Sequence, residues 1–389
     1  MLHNSYQFRG GEDESFESEV RMLQAEGHFV ETVHINNSEI EARGKIHVAI
    51  ESIWSNRSYN LVDRKLQEDQ FDVLHVQNFF PLLSPSVYYA ARKHKVAVVQ
   101  TLRNYRLLCP NVYLFRDGRV CEDCMGKVFK YPGVLHACYR GSRTATAAVA
   151  AMTAIHTLKG TWSNAVDLYI SLTEFARNKF IEAGFPPEKI VVKSNVVFPD
   201  PGSGDGKGGY ALFVGRLSPE KGLKTLLEAW SLLERDWSLK IVGEGPLSPL
   251  VEAFCADHAE VEWLGAQPRP EIGRLMGDAK VLIFPSEWYE TFGRVAIESF
   301  ATGTPVIASR LGAMAEVGQE MRTGLLFQPG DAEDLAMKLR WVLDHPDEIQ
   351  AMRVAARQAY ETKYTIRENC KVLIEAYESA QRASLNLRS

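Results

Sequence analysis

The chain has 389 residues, 46% of them apolar, which supports full hydrophobic cores and excludes a disordered chain. That length suits two domains of ordinary size. A net charge of −5 gives no global attraction to nucleic acid, and the longest uncharged run, Thr144–Leu158, falls short of the ~20 residues of a membrane helix.

In chain order, Met1–Glu12 is polar, so no signal peptide is expected. Ser15–Gly27 places Phe16, Val20 and Leu23 at helical spacing and ends on a capping glycine. Four apolar runs then read as strands: Phe71–Gln77, Val96–Leu102, Leu168–Leu172 and Ile190–Lys193, with helical segments between them. Phe198–Gly209 is rich in Pro, Gly and Asp, has nothing to pack, and reads as an interdomain linker. Beyond it, strands are expected at Ala211–Val214, in Leu239–Gly245, in Lys280–Ser286 and in Gly303–Ser309. Each stops at a turn and hands over to a helix-like segment. That alternation predicts a parallel α/β domain with ligand groups at the carboxyl ends of its strands.

The candidate chemistry sits in those turns. Gly215, Arg216 and Lys221 follow the first strand, and a guanidinium fork with a point-charge ammonium can neutralise a pyrophosphate. Gly243 ends the next strand, where glycine lets a ligand approach the backbone. Glu290 and Glu298 lie eight residues apart with Thr291, Phe292 and Gly293 between them. Eight residues is a little over two helical turns, so one carboxylate at a helix mouth and one inside the helix can face one cleft. The helix start offers backbone N–H groups to a diphosphate, and the carboxylates accept hydrogen bonds from sugar hydroxyls. Two solvated acids on a surface helix, and two surface cations, are the plain alternatives.

The segments GRLSPEKG, IVGEGP, FPSEWYETFGRVAIESFATGTPVIAS and TGLLFQPGDAEDLA occur in this order. Together they resemble the C-terminal half of a family 4 (GT4) glycosyltransferase of the GT-B fold, and the resemblance extends over nearly the whole chain. It implies two Rossmann-like domains with parallel sheets facing a central cleft. The expected division is an acceptor-side domain 1–197, carrying a cysteine-containing insertion at about 103–143, a linker 198–209, a nucleotide-sugar domain 210–365 and a helix 366–389 crossing back. The resemblance assigns Arg216 and Lys221 to the donor diphosphate, Glu290 to the donor sugar, Glu298 to the ribose, and the amides of Phe292 and Gly293 to the donor. Gly10 and Gly11 match the family's glycine-rich loop, although only Met1-Leu2-His3-Asn4 precedes that loop as a first strand. It further implies a retaining hexosyl transfer, in which Arg216 and Lys221 stabilise the leaving diphosphate with no catalytic metal. UDP-, GDP- and ADP-sugars remain open as donors. A glycan or lipid-linked acceptor and a role in cell-surface polysaccharide synthesis follow from the family's habits. A sugar-nucleotide epimerase or hydrolase, or a catalytically silent sugar-nucleotide-binding partner, are the alternatives.

On the acceptor side, His75 and Asn78 follow a strand, with a hydrogen-bonded structural histidine as the plainer reading of His75. Relatives often carry His-Asp where this chain has Arg103-Asn104; Arg103 can instead offset charge near a phosphate or an anionic acceptor. Cys109, Cys121, Cys124 and Cys138 are spaced C-x11-C-x2-C-x13-C, which suits tetrahedral structural zinc; reduced thiols or a redox or iron–sulfur role are the alternatives. The basic and aromatic residues Lys127, Phe129, Lys130, Tyr131, Tyr139, Arg140 and Arg143 precede the uncharged helix 144–158. That surface suits a cytoplasmic enzyme touching the inner face of the cell membrane, while the plainer reading is a buried core helix with solvated cations.

Overall fold

Two parallel six-stranded sheets organise the described residues, which are 1–5, 7 and 10–386 of the computed structural model. The Cα positions group into two units. The first contains Met1–Leu114, Cys121–Val196 and the residues from Asn369 onward; the second contains Phe115–Val120 and Val197–Glu368.

In the first unit the strands are β1 (Leu2–Ser5), β2 (Val33–Asn36), β3 (Val73–Asn78) and β4 (Ala97–Thr101). A short antiparallel hairpin, β5 (Phe115–Arg116) and β6 (Arg119–Val120), is grouped with the second unit. Strands β7 (Leu168–Ser171) and β8 (Ile190–Val192) complete the first sheet in the order β2-β1-β3-β4-β7-β8. The first strand lies inside the sheet, paired in parallel to β2 and β3. β1, β4 and β7 are buried along their whole length, as expected of strands covered on both faces. The second strand, VHIN, carries too little apolar pattern to be read from sequence and forms on the rim of the sheet. The helix Gly11–Ala25 starts at Gly10, whose N–H donates to the Asp13 carboxylate at 2.8 Å. The expected strand at Phe71–Gln77 is realised as Val73–Asn78.

In the second unit the strands are β9 (Tyr210–Val214), β10 (Ser238–Val242), β11 (Val261–Trp263), β12 (Val281–Phe284), β13 (Val306–Ser309) and β14 (Gly324–Phe327). Their order, β11-β10-β9-β12-β13-β14, is that of a doubly wound nucleotide-binding sheet, with its switch point between β9 and β12. Ala211, Phe213, Leu239, Ile241, Ile283 and Ile307 pack beneath Trp230 and Trp237, whose rings lie 5.5 Å apart. Residues 198–209, expected as a linker with nothing to pack, lie in the second unit instead. Gly204 N–H donates to the Thr302 carbonyl, Gly206 to Gly277 and Gly208 to Asp278. The glycines make that close approach possible: a Cβ on Gly204 would stand 2.2 Å from the Gly277 carbonyl oxygen.

Among the described residues no helix is long and apolar enough to cross a membrane. The uncharged run forms the helix Arg143–Leu158, capped by the Ser142 hydroxyl. Val149, Ala150, Met152 and Ala154 face the core, whereas Leu158 is exposed.

Candidate functional site

The turns after β9 and β12 flank the switch point of the second unit and carry the expected donor residues. After β9 the chain makes a 3-10 turn, Pro219–Lys221, and the helix Leu223–Ser231 follows Gly222. Gly222 has φ +68°, and a Cβ there would stand 1.7 Å from the Pro285 carbonyl oxygen. Only glycine lets this turn lie against the end of β12. That contact sets Lys221 beside Glu290. Lys221 Nζ lies 2.6 Å from Glu290 Oε1, and 5.3 Å from the centre of the Trp288 ring.

Glu290 is buried and held by one oxygen. Ser286 Oγ and Trp288 Nε1 donate to the same Oε1, at 2.8 and 2.9 Å. Among the described residues Oε2 has no protein donor and is not sealed from solvent, so the carboxylate is fixed with one oxygen open to hydroxyl donors. The helix Arg294–Ala301 starts after Gly293, which has φ +78°. Its first-turn N–H groups lack intrahelical acceptors, as every helix start does. Glu298, in the second turn, accepts at 2.8 Å from both Arg269 Nη1 and Arg294 Nε through Oε1. Arg216 is exposed, and among the described residues no carboxylate pairs with it. Gly215 and Gly243 serve a different end: the Gly243 Cα comes so close to the Gly215 carbonyl that a Cβ would lie 1.9 Å from it. The two glycines let the turns after β9 and β10 touch.

In the first unit, a pocket at the carboxyl ends of β3 and β4 is lined by Gln77, Asn78, Gln100, Arg103, Asn104 and Arg106 among others. Asn78 Nδ2 donates to the Asn4 carbonyl at 2.8 Å, and its Oδ1 accepts from the Phe80 N–H. Asn104 Nδ2 donates to Glu12 at 2.8 Å. Arg103 is buried, donating through Nε to Gln77 at 2.6 Å and pairing with Glu19 at 3.2 Å. Lys193 and Gln77 also donate to Glu19, and Arg103 to Asn195. Burial alone would raise the Glu19 pKa, but Lys193 and Arg103 draw it down to about 2. His75 lies behind the pocket, bonded at 2.7 Å to both Tyr377 and Thr101, and burial holds it down to about 3, so it is neutral. Gly10 and Gly11 open the first helix; Tyr6, Phe8 and Arg9, which precede them in the sequence, lie outside the described residues.

All six cysteines are free thiols. Cys109 Sγ donates to Asn111 Oδ1 at 2.9 Å, and burial pushes its pKa up to about 12; burial raises that of Cys124 as well. Among the described residues no group of three or more His, Cys, Asp or Glu side chains is placed to hold a metal ion, so Cys109, Cys121, Cys124 and Cys138 do not form a closed metal centre in this arrangement.

Two sequence families match the chain. A 4-like glycosyl transferase domain matches residues 10–195, and group 1 glycosyl transferases match residues 201–359. The chain belongs to the GT4-type glycosyltransferases. A sulfoquinovosyl transferase of Arabidopsis thaliana is 32% identical to this chain over 43% of the chain and 33% of its own length. An uncharacterized protein of the cps region of Klebsiella pneumoniae is 27% identical over 64% of the chain and 60% of its own length. The matches thus span a third to three fifths of these curated relatives. The fold is that of GT-B proteins. The Anabaena HepE protein in complex with UDP superimposes with a TM-score of 0.68, at 16% identity, over 97% of this chain and 99% of that one. A sucrose-phosphate synthase from Thermosynechococcus elongatus gives a TM-score of 0.71, at 16% identity, over 97% and 96%.

Sequence reasoning missed several residues that the structure brings to these candidate sites. Arg294 precedes Glu298 by four, a legible helical pair. Ser286 and Trp288 stand within four residues of Glu290, but only the turn geometry aims them at it. Arg269 reaches Glu298 from a distant helix start, and Arg106 sits two residues beyond Asn104 with no motif to mark it.

Proposed function

We propose that this protein is a retaining glycosyltransferase that moves a sugar from a nucleotide-activated donor, bound at the β9/β12 switch point, to a glycan or lipid-linked acceptor. The observation that carries the reading is the meeting of Lys221 with Glu290 at a helix mouth, with Glu298 two turns further on. The donor diphosphate takes the Lys221 ammonium, the exposed Arg216 and the helix N-terminus; the ribose hydroxyls take Glu298, and a sugar hydroxyl takes Glu290 Oε2. As the bond to the anomeric carbon breaks, negative charge grows on the diphosphate, and these cations stabilise that charge more than the ground state. The acceptor hydroxyl attacks from the face the nucleotide leaves, and the departing phosphate receives its proton. No step calls for a metal. UDP is the first nucleotide to try, given the Anabaena complex, and the cps-region relative supports a place in surface polysaccharide synthesis.

Thermal unfolding with UDP, GDP and ADP tests the reading. A nucleotide at a hundred times its dissociation constant adds about 2.7 kcal/mol of stability. Glu298→Ala is expected to weaken that nucleotide by about 1–3 kcal/mol, the loss of hydrogen bonds to a charged acceptor. No response of the wild type to any nucleotide sinks the proposal; an equal response of the variant sinks the ribose assignment.

A further inference from the structure

Arg106 is a buried cation without a counter-ion. It is 9% exposed, and among the described residues no carboxylate lies within ion-pairing distance of it. Its guanidinium lies 4.3 Å from the centre of the Phe80 ring and 5.1 Å from that of Tyr139, and one N–H donates to the Pro110 carbonyl at 2.6 Å. The other donors have no protein acceptor among the described residues, yet none of them is sealed from solvent. Arg106 lines the pocket at the carboxyl ends of β3 and β4, together with Arg103, Asn78 and Asn104.

The surrounding charge sharpens the point. Glu19 is already shared by Arg103 and Lys193, so the one buried carboxylate of this cluster leaves Arg106 unpaired. A buried charge is costly unless paired, and an aromatic face offsets only part of that cost. The free edge of a guanidinium presents parallel N–H groups at the spacing of two oxygens of an oxyanion.

We propose that this pocket binds a phosphate group carried by the acceptor, with Arg106 as its principal ligand and Asn78 and Asn104 at its sides. The proposal rests on the transfer reading above only in calling the bound molecule the acceptor. Phosphate on a lipid carrier and phosphate on a soluble sugar share this chemistry.

The test uses the full chain saturated with UDP, so that the diphosphate site is filled, and titrates inorganic phosphate by calorimetry. Wild type is expected to show one saturable phosphate site. Arg106→Gln is expected to weaken it at least tenfold, and Arg106→Lys, which keeps the charge but loses the fork, by less. An unchanged UDP response in both variants shows that they are folded. Equal phosphate affinity in wild type and Arg106→Gln, or no saturable site in wild type, overturns the proposal. If no protein responds to UDP, the donor reading fails while the phosphate comparison, repeated without nucleotide, still reads Arg106. Flotation with phosphatidylcholine vesicles, with and without phosphatidic acid, separates the sources. Arg106-dependent capture by phosphatidic acid supports a lipid-borne phosphate, and phosphate binding without capture supports a soluble one.

Discussion

At the scale of single residues, the site rests on one carboxylate oxygen with three donors. Glu290 Oε1 accepts from Lys221, Ser286 and Trp288. Lys221→Ala leaves that buried carboxylate without its cation, a loss of about 1–3 kcal/mol, and removes a charge from the leaving group, which typically costs a factor of about 100 or more in turnover. Both effects are measurable, by chemical unfolding and by initial rates of nucleotide release; full turnover in the variant removes Lys221 from the mechanism. The places of Lys221, Arg216, Glu290 and Glu298 beside the β9/β12 turns were legible because each attaches to a local motif. Arg269 and Arg106 were not, because what gives each its place is a partner far off in the chain or the lack of one, and a one-dimensional pattern encodes neither.

At the scale of elements, the turn after β9 depends on Gly222. Gly222→Ala is expected to lose about 2–4 kcal/mol, from the left-handed φ and from a Cβ that must push Pro285 aside. Gly209→Ala is the control: its φ is +72° but a Cβ there meets nothing within 4 Å, so strain of about 1 kcal/mol is all that is expected. Urea midpoints of the two variants decide between them, and equal losses would mean that the approach to Pro285 is easily relieved. Strands were read most faithfully where burial on both faces gives an unbroken apolar run, as in β4, β7 and β12. The rim strands β2 and β11 escaped because short strands at a sheet edge need little apolar pattern. The stretch 198–209 was misjudged because glycine-rich composition describes close backbone packing as well as it describes flexibility.

At the scale of the whole molecule, the first unit is drawn together by a buried polar cluster contributed by distant stretches of chain. Glu19 comes from the first helix, His75 from β3, Arg103 from beyond β4, Lys193 from beyond β8 and Tyr377 from the last helix. This arrangement makes the fold sensitive to acid. The unfolded chain takes a proton on histidine near pH 6.5, whereas burial keeps folded His75 neutral down to about 3, so its contribution is complete above pH 6.5 and declines as pH falls towards 3. Glu19 acts in the same direction lower down, between its ordinary 4.5 and about 2. His156, also lowered by burial, adds to the upper window. A loss of about 2 kcal/mol from His75 alone is expected between pH 6.5 and 5, at 1.36 kcal/mol per pH unit. Urea unfolding at the two pH values measures it, and His75→Gln should flatten the dependence. An unchanged slope in that variant would place the acid sensitivity elsewhere. The two-sheet architecture was legible from the alternation of strands and helices; this cluster was not, since its members are ordinary polar residues until the chain gathers them.

The bridge between Lys221 and Glu290 also sets how these two charges present themselves. The ammonium and the carboxylate satisfy each other, so this pair stands as a closed latch rather than as two open charges. A neutral hydroxyl has no charge with which to compete for the ammonium; a dianion has, and only a charged group can trade places with the carboxylate.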